Sequence, residues 1–177
     1  MNNTRLDTTS EQNILNMLMD NSIITSDQMS KINLTSNEIG KSKLETAFEL
    51  NLTNENQILK ILSSNYSLPI IDLQKYKIDQ KIKKIIDTRY IVDHSLVPFE
   101  ISDETLKIAI ADGSKLSLMK NLKTMTKMEP ELYAASISNI NEFIERLTKM
   151  DGKKVSEHNV KIEKIEKNKD EFVDVGE

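Results

Sequence analysis

A chain of 177 residues with 38% hydrophobic and 29% charged side chains is long enough for one globular domain or two small ones with a modest core. Its net charge of −4, with no long basic cluster, argues against nucleic acid as a partner, because that affinity comes largely from neutralising phosphates. With no cysteine, disulfides, thiolate chemistry and cysteine-ligated zinc are excluded.

Along the chain, residues 1–9 are polar and read as a disordered N-terminus without the apolar core of a signal peptide. No run anywhere approaches the ~18 apolar residues of a membrane span. Direct membrane insertion is therefore not expected, and a cytoplasmic location is.

Residues 10–66 contain an internal repeat. The stretch Leu15–Ile32 aligns without a gap on Leu44–Ile61, so that Leu15 meets Leu44, Met19 meets Phe48, Asp20 meets Glu49 and Ile32 meets Ile61. Each copy predicts a helical hairpin. Leu15, Leu18 and Met19 form an apolar stripe at helical spacing, and Leu44, Ala47 and Phe48 repeat it. A short connector follows in each copy. Then Thr25 with Gln28, and Asn54 with Gln57, place a capping oxygen three residues before a glutamine.

Between the copies stands Gly40-Lys41-Ser42, the last three letters of a phosphate-binding loop. That loop needs a second glycine five positions earlier, where this chain has Thr35, and a buried strand before it, which "SDQMSKINL" does not provide. The expectation is a helix-to-helix turn.

Residues 67–150 change character. Pro69 in "SLPIIDL" stops the fourth helix and sends the chain out extended. "IDQKIKKIID" predicts a short helix with Ile78, Ile82, Ile85 and Ile86 on one side. His94 then reads as a polar residue at a strand start. The period becomes two, with Val97, Phe99 and Ile101 on one face, a tight turn at Asp103 and Glu104, then Leu106, Ile108 and Ile110. Asp112-Gly113 breaks the second strand, and a helix follows with Leu118, Leu122 and Met125 inward. "PELYAAS" predicts a third strand, and "SNINEFIERLTKM" a last helix with Ser138 as N-cap and Ile140, Phe143, Ile144, Leu147 and Met150 on one face. The fold class is α+β: two helical hairpins, then a three-stranded sheet packed with helices in the order β-β-α-β-α. Residues 151–177 are polar and mixed in charge, and read as a linker or tail.

The succession of two hairpins, then Leu68, Pro69, Ile70, Ile71, Asp72 and Leu73, then Arg89, Tyr90, Val97 and Pro98, then Ala109, Ile110, Ala111 and Asp112, resembles the N-terminal domain of type II secretion and type IV pilus assembly ATPases, the GspE/PilB or MshEN type. The resemblance covers roughly residues 12–150. Gly113 stands where the family commonly has proline. It implies a non-catalytic adaptor that docks an assembly ATPase to the cytoplasmic domains of inner-membrane secretion or pilus proteins, placing it at the membrane only through partners. No Walker motor lies within these residues, so a stand-alone relative and a fragment of a longer ATPase both fit.

One branch of that family binds cyclic di-GMP through two copies of Arg-x-Gly-x-x-Leu-x-x-x-Gly. Here those positions hold Asn13, Leu15, Leu18 and Ser22, then Ser42, Leu44, Ala47 and Asn51. The later leucine and glutamine positions hold Met29, Asn33 and Ser36 in one copy, and Ile58, Leu62 and Asn65 in the other. Arginines, glycines and glutamines are all replaced. No bound cofactor is expected, and these residues form a candidate site only under the alternative reading of a degenerate messenger sensor.

Nothing in the sequence assembles a catalytic or metal site. Glu100, Asp103 and Glu104 fall at a strand end and turn, where solvated carboxylates ordinarily sit. Asp20 and Glu49 recur once per repeat at helix ends, and His94 and His158 lie far apart.

Overall fold

The computed structural model describes residues 6–152. It opens with four helices, α1 (Thr8–Asp20), α2 (Ser26–Ile39), α3 (Lys43–Glu49) and α4 (Glu55–Tyr66). Each begins on a side-chain cap that satisfies an otherwise orphaned amide. The Asp7 carboxylate accepts the Ser10 N–H at 2.7 Å, so α1 begins inside the stretch that composition assigned to a polar terminus. Thr25 and Gln28 form a complete capping box. At Asn54 only half of one forms: its side chain takes the Gln57 N–H, while the Gln57 side chain accepts the Thr53 hydroxyl instead. A further box, Ser42 with Glu45, opens α3.

The Gly-Lys-Ser letters are thereby accounted for. Gly40 closes α2 in the left-handed region at φ 67°, and Ser42 caps the next helix. Lys41, between them, pairs with Glu49.

The two hairpin turns repeat each other. At the first turn, Ser22 donates to the Met19 carbonyl (2.9 Å) and Ile23 to Leu18 (2.8 Å); at the second, Asn51 donates to Phe48 (3.0 Å) and Leu52 to Ala47 (3.0 Å). Ser22 and Asn51 both adopt positive φ, 59° and 54°. Leu15, Leu18, Leu44 and Ala47 are fully buried, whereas Met19 and Phe48 are half-buried at the margin of the core.

After α4 the chain passes Pro69, and Ile70 bridges Ala134. A single 3-10 turn at Leu73–Lys75 leads to α5 (Gln80–Ile85) and α6 (Thr88–His94). Of the expected apolar side, Ile82 in α5 and Ile86 just after it are buried. His94 ends a helix rather than starting a strand. Asp87 caps that helix through the Arg89 N–H, a local bond that outweighs the β-leaning Tyr90-Ile91-Val92.

Strands β1 (Val97–Ser102) and β2 (Thr105–Ile110) pair antiparallel across a two-residue turn in which Asp103 has positive φ. A register shift between Pro98 and Glu100 leaves Phe99 out of the ladder and interrupts the expected alternation, so Ile101 is only half-buried. A 3-10 segment (Gly113–Leu118) runs into α7 (Met119–Thr126) and carries the chain over to β3 (Glu129–Ala134), parallel to β2. The mixed sheet has the order β1-β2-β3. As the central strand, β2 is apolar on both sides: Leu106, Ile108, Ala109 and Ile110 are all buried.

Two side-chain expectations fail here. Met125 is exposed, because α7 turns only Leu122 fully inward. The final helix, α8 (137–152), is capped by Ser136, whose hydroxyl accepts the Asn139 N–H. Ser138 donates instead to Glu55, 2.7 Å from both carboxylate oxygens.

An apolar cluster running from Ile14 through Leu44, Leu62, Leu73, Phe99 and Ala134 to Phe143 joins the hairpins and the sheet. Residues 6–144 belong to one compact unit. In the second unit, residues 145–152 are helical, with Lys149 3.0 Å from Glu145. The remaining tail, His158 included, lies outside the described residues.

Candidate functional site

The positions singled out on the repeat separate into two groups. Leu15, Leu18, Leu44, Ile58 and Leu62 come together, but inside the core, each 2% exposed or less. Asn13, Ser22, Ser42 and Asn51 stay at or near the surface. Ser22 and Asn51 end α1 and α3 in the left-handed conformation that glycine adopts most easily. Ser42 is committed to capping α3. The Leu44 N–H donates to Glu11, which ties the start of α3 to α1.

Asn13 has a role that its sequence neighbours do not announce. Its side-chain carbonyl accepts the Gly113 N–H at 3.1 Å, joining α1 to the loop that leaves β2. Two further contacts fasten the same loop. Lys115, 4% exposed, reaches the Asp7 carboxylate at 2.9 Å. The Tyr66 ring lies so close to Gly113 that a β-carbon there would fall 2.2 Å from its hydroxyl oxygen. Beside this junction lies a shallow cavity of about 420 Å³, lined by Thr8, Thr9, Gln12, Asn13, Asn16 and Ser114. All are uncharged and polar, a lining suited to hydrogen bonding and supplying no acid, base or nucleophile pair.

On the sheet, Glu100, Lys107 and Glu131 stand side by side on β1, β2 and β3. Lys107 Nζ is 2.7 Å from Glu100, and the Tyr133 hydroxyl donates to Glu131 at 2.6 Å. The hydrogen bond to Glu100 raises the Lys107 pKa, and that to Glu131 raises the Tyr133 pKa. Both groups thus keep their protons at neutral pH. Such a row strengthens cross-strand pairing without offering a base. Phe99 packs edge-on between Tyr76 and Tyr133, at centroid distances of 4.8 and 5.3 Å, and closes this face farther along.

The other carboxylates disperse. Asp103 and Glu104 occupy the exposed hairpin turn, and Glu49 is taken by Lys41. His94 lies against the Tyr90 ring at 4.3 Å. Among the described residues, no group of three His, Asp or Glu side chains could hold a metal ion, and no helix is long and apolar enough to cross a membrane.

Comparison with known proteins adds the following. The MshEN domain family matches residues 66–154. The type IV pilus assembly ATPase PilB of Myxococcus xanthus is 29% identical over 92 residues, 52% of this chain and 16% of that protein. PilB of Thermus thermophilus is 19% identical over 123 residues, 68% of this chain and 14% of that protein. The chain therefore matches only about a sixth of the length of these relatives. Among solved structures, MshE with cdg superposes with a TM-score of 0.55 at 21% identity, covering 75% of this chain and 96% of that one. The N-terminal domain of XpsE gives 0.52 at 19%, covering 80% and 97%. At such identities the likeness is one of fold.

Proposed function

Because the chain belongs to the MshEN domain family, we propose that it is a non-catalytic docking module of a type II secretion or type IV pilus machine. Its partners are then the cytoplasmic domains of inner-membrane secretion or pilus proteins, or an assembly ATPase, and it works in the cytoplasm. The observation that carries this reading is the family match itself. It spans the sheet layer and the segments leading into it, a region whose carboxylates are paired or dispersed rather than gathered around a reaction centre. The full chain should bind one of these partners from its own organism saturably, with a Kd of about 10 µM or tighter by interferometry or calorimetry. Failure to bind any of them would overturn the proposal.

A second reading, a cyclic di-GMP sensor, is favoured by Ser22 and Asn51, which hold the glycine-like backbone at both motif ends. Against it stand Leu15 and Leu44, core side chains where a flat base would need bare backbone, and Asn13, already bonded to Gly113. Neither Asn13 nor Ser42 can supply the planar fork of an arginine. Calorimetry with cyclic di-GMP should therefore show no saturable binding in the tens-of-micromolar range. Tight binding by the unmodified protein would move this reading to first place.

A further inference from the structure

The junction between α1 and the loop that leaves β2 holds more polar groups than its own bonds use. Asp7 and Asn13 reach across it from α1 to Lys115 and Gly113, and Ser10 lies between them on the helix, fully buried. The Ser10 hydroxyl sits beside the Asp7 carboxylate, yet it completes no hydrogen bond. Asp112 is 1% exposed. One of its carboxylate oxygens accepts the Ser114 N–H at 2.9 Å and the Ser114 hydroxyl, while the other accepts nothing from the described residues. Lys115 follows Asp112 by three residues in a 3-10 segment, the spacing that sets two side chains on one side. Its ammonium carries three donors and gives one of them, to Asp7. A carboxylate oxygen, a hydroxyl and the spare ammonium protons thus meet inside the protein without protein partners, and such groups are costly to bury unpaired.

We propose that this junction binds a structural water, which accepts from Lys115 Nζ, donates to Asp112 Oδ2 and shares a further bond with the Ser10 hydroxyl. These partners suit a buried water, which typically makes about three hydrogen bonds. Charge selects a neutral occupant: the Lys115 ammonium repels a cation, and the carboxylates of Asp7 and Asp112 repel an anion. The water completes a chain of hydrogen bonds from the cap of α1 to the cap of the 3-10 segment, through Asp7, Lys115 and Asp112. It thereby fixes the first hairpin against the crossover that joins β2 to β3, and it does so whether or not the docking reading holds.

Oxygen-17 magnetic relaxation dispersion on the full chain detects waters held far longer than those of the surface. Combining Ser10→Ala with Lys115→Met leaves Asp112 as the remaining partner, too few for a buried water, which takes roughly two to four. The dispersion amplitude should therefore fall by about one long-lived water relative to the parent protein, with a cooperative melt as the control for folding. A crystal structure of the parent protein tests the site without any variant. It should show a water within about 3 Å of both Lys115 Nζ and Asp112 Oδ2. An amplitude unchanged in the folded double variant overturns the proposal. So does a crystal structure in which an ion takes that position, or in which Lys115 or Ser10 bonds directly to Asp112 Oδ2.

Discussion

Leu44→Ala should lower the free energy of unfolding by ~3 kcal/mol, and Leu15→Ala by a similar amount, when measured by urea denaturation. Both leucines are wholly inaccessible and occupy the same position in the two copies of the repeat, facing one shared core. Truncating either removes its burial energy and leaves a void that close-packed neighbours fill only in part. Phe48→Ala should cost less, ~1.5 kcal/mol, even though the ring is larger. Phe48 sits half-buried at the core margin, so less of its area leaves water on folding, and solvent can fill part of the gap. The order matters more than the values: a Phe48 variant less stable than the Leu44 variant would place the core of the repeat elsewhere.

Asp7→Ala should destabilise by ~2 kcal/mol, whereas Lys115→Met should stay within about 0.5 kcal/mol of the parent. The Asp7 carboxylate does two things. One oxygen caps α1 through the Ser10 N–H, and the other meets the Lys115 ammonium. Removing the carboxylate strips the cap and leaves a buried cation with no counter-ion. Removing the cation leaves the cap and replaces a lysine stem with an apolar side chain of similar volume. The loss falls short of the ~3–5 kcal/mol of a fully buried pair because the Asp7 side chain is 37% exposed.

Acid should expose the same asymmetry. Burial alone would raise the Asp7 pKa, but the Ser10 N–H and the Lys115 ammonium outweigh it and hold the carboxyl below its ordinary value of 3.8. A carboxyl depressed by folding contributes stability above its unfolded-state pKa and loses it as pH falls through the folded-state value. The gap in melting temperature between the parent and Asp7→Ala should therefore be full at pH 7 and narrow as pH drops below 3.8. A gap that widens in acid would mean the pair is not what holds α1 to the loop.

The α+β class, the repeat and most of the element order could be read directly from the residues. Helix periodicity, capping and hairpin turns act between residues within four of each other, so their signals are written in adjacent letters. Thr25 with Gln28 and Gly40 ahead of Ser42 are of this kind, and the Ser42–Glu45 box was there to be read in the same way. The short α6 escaped because its one local signal, the Asp87 cap, precedes a β-branched run.

What sequence alone could not decide depends on partners far along the chain. Asn13 looked like a vacated ligand position until Gly113, 100 residues away, donated to it. Lys115 has no local signal of burial, yet it is buried because Asp7, 108 positions earlier, supplies the charge that makes burial tolerable. Ser138 had the look of a cap, but it turns to Glu55, 83 residues back, and leaves capping to Ser136. Local bonds are encoded in the order of the residues. The meeting of α1, the Gly113 loop and the two hairpins around one core exists only once the chain has folded, when burial has chosen which polar groups must find each other.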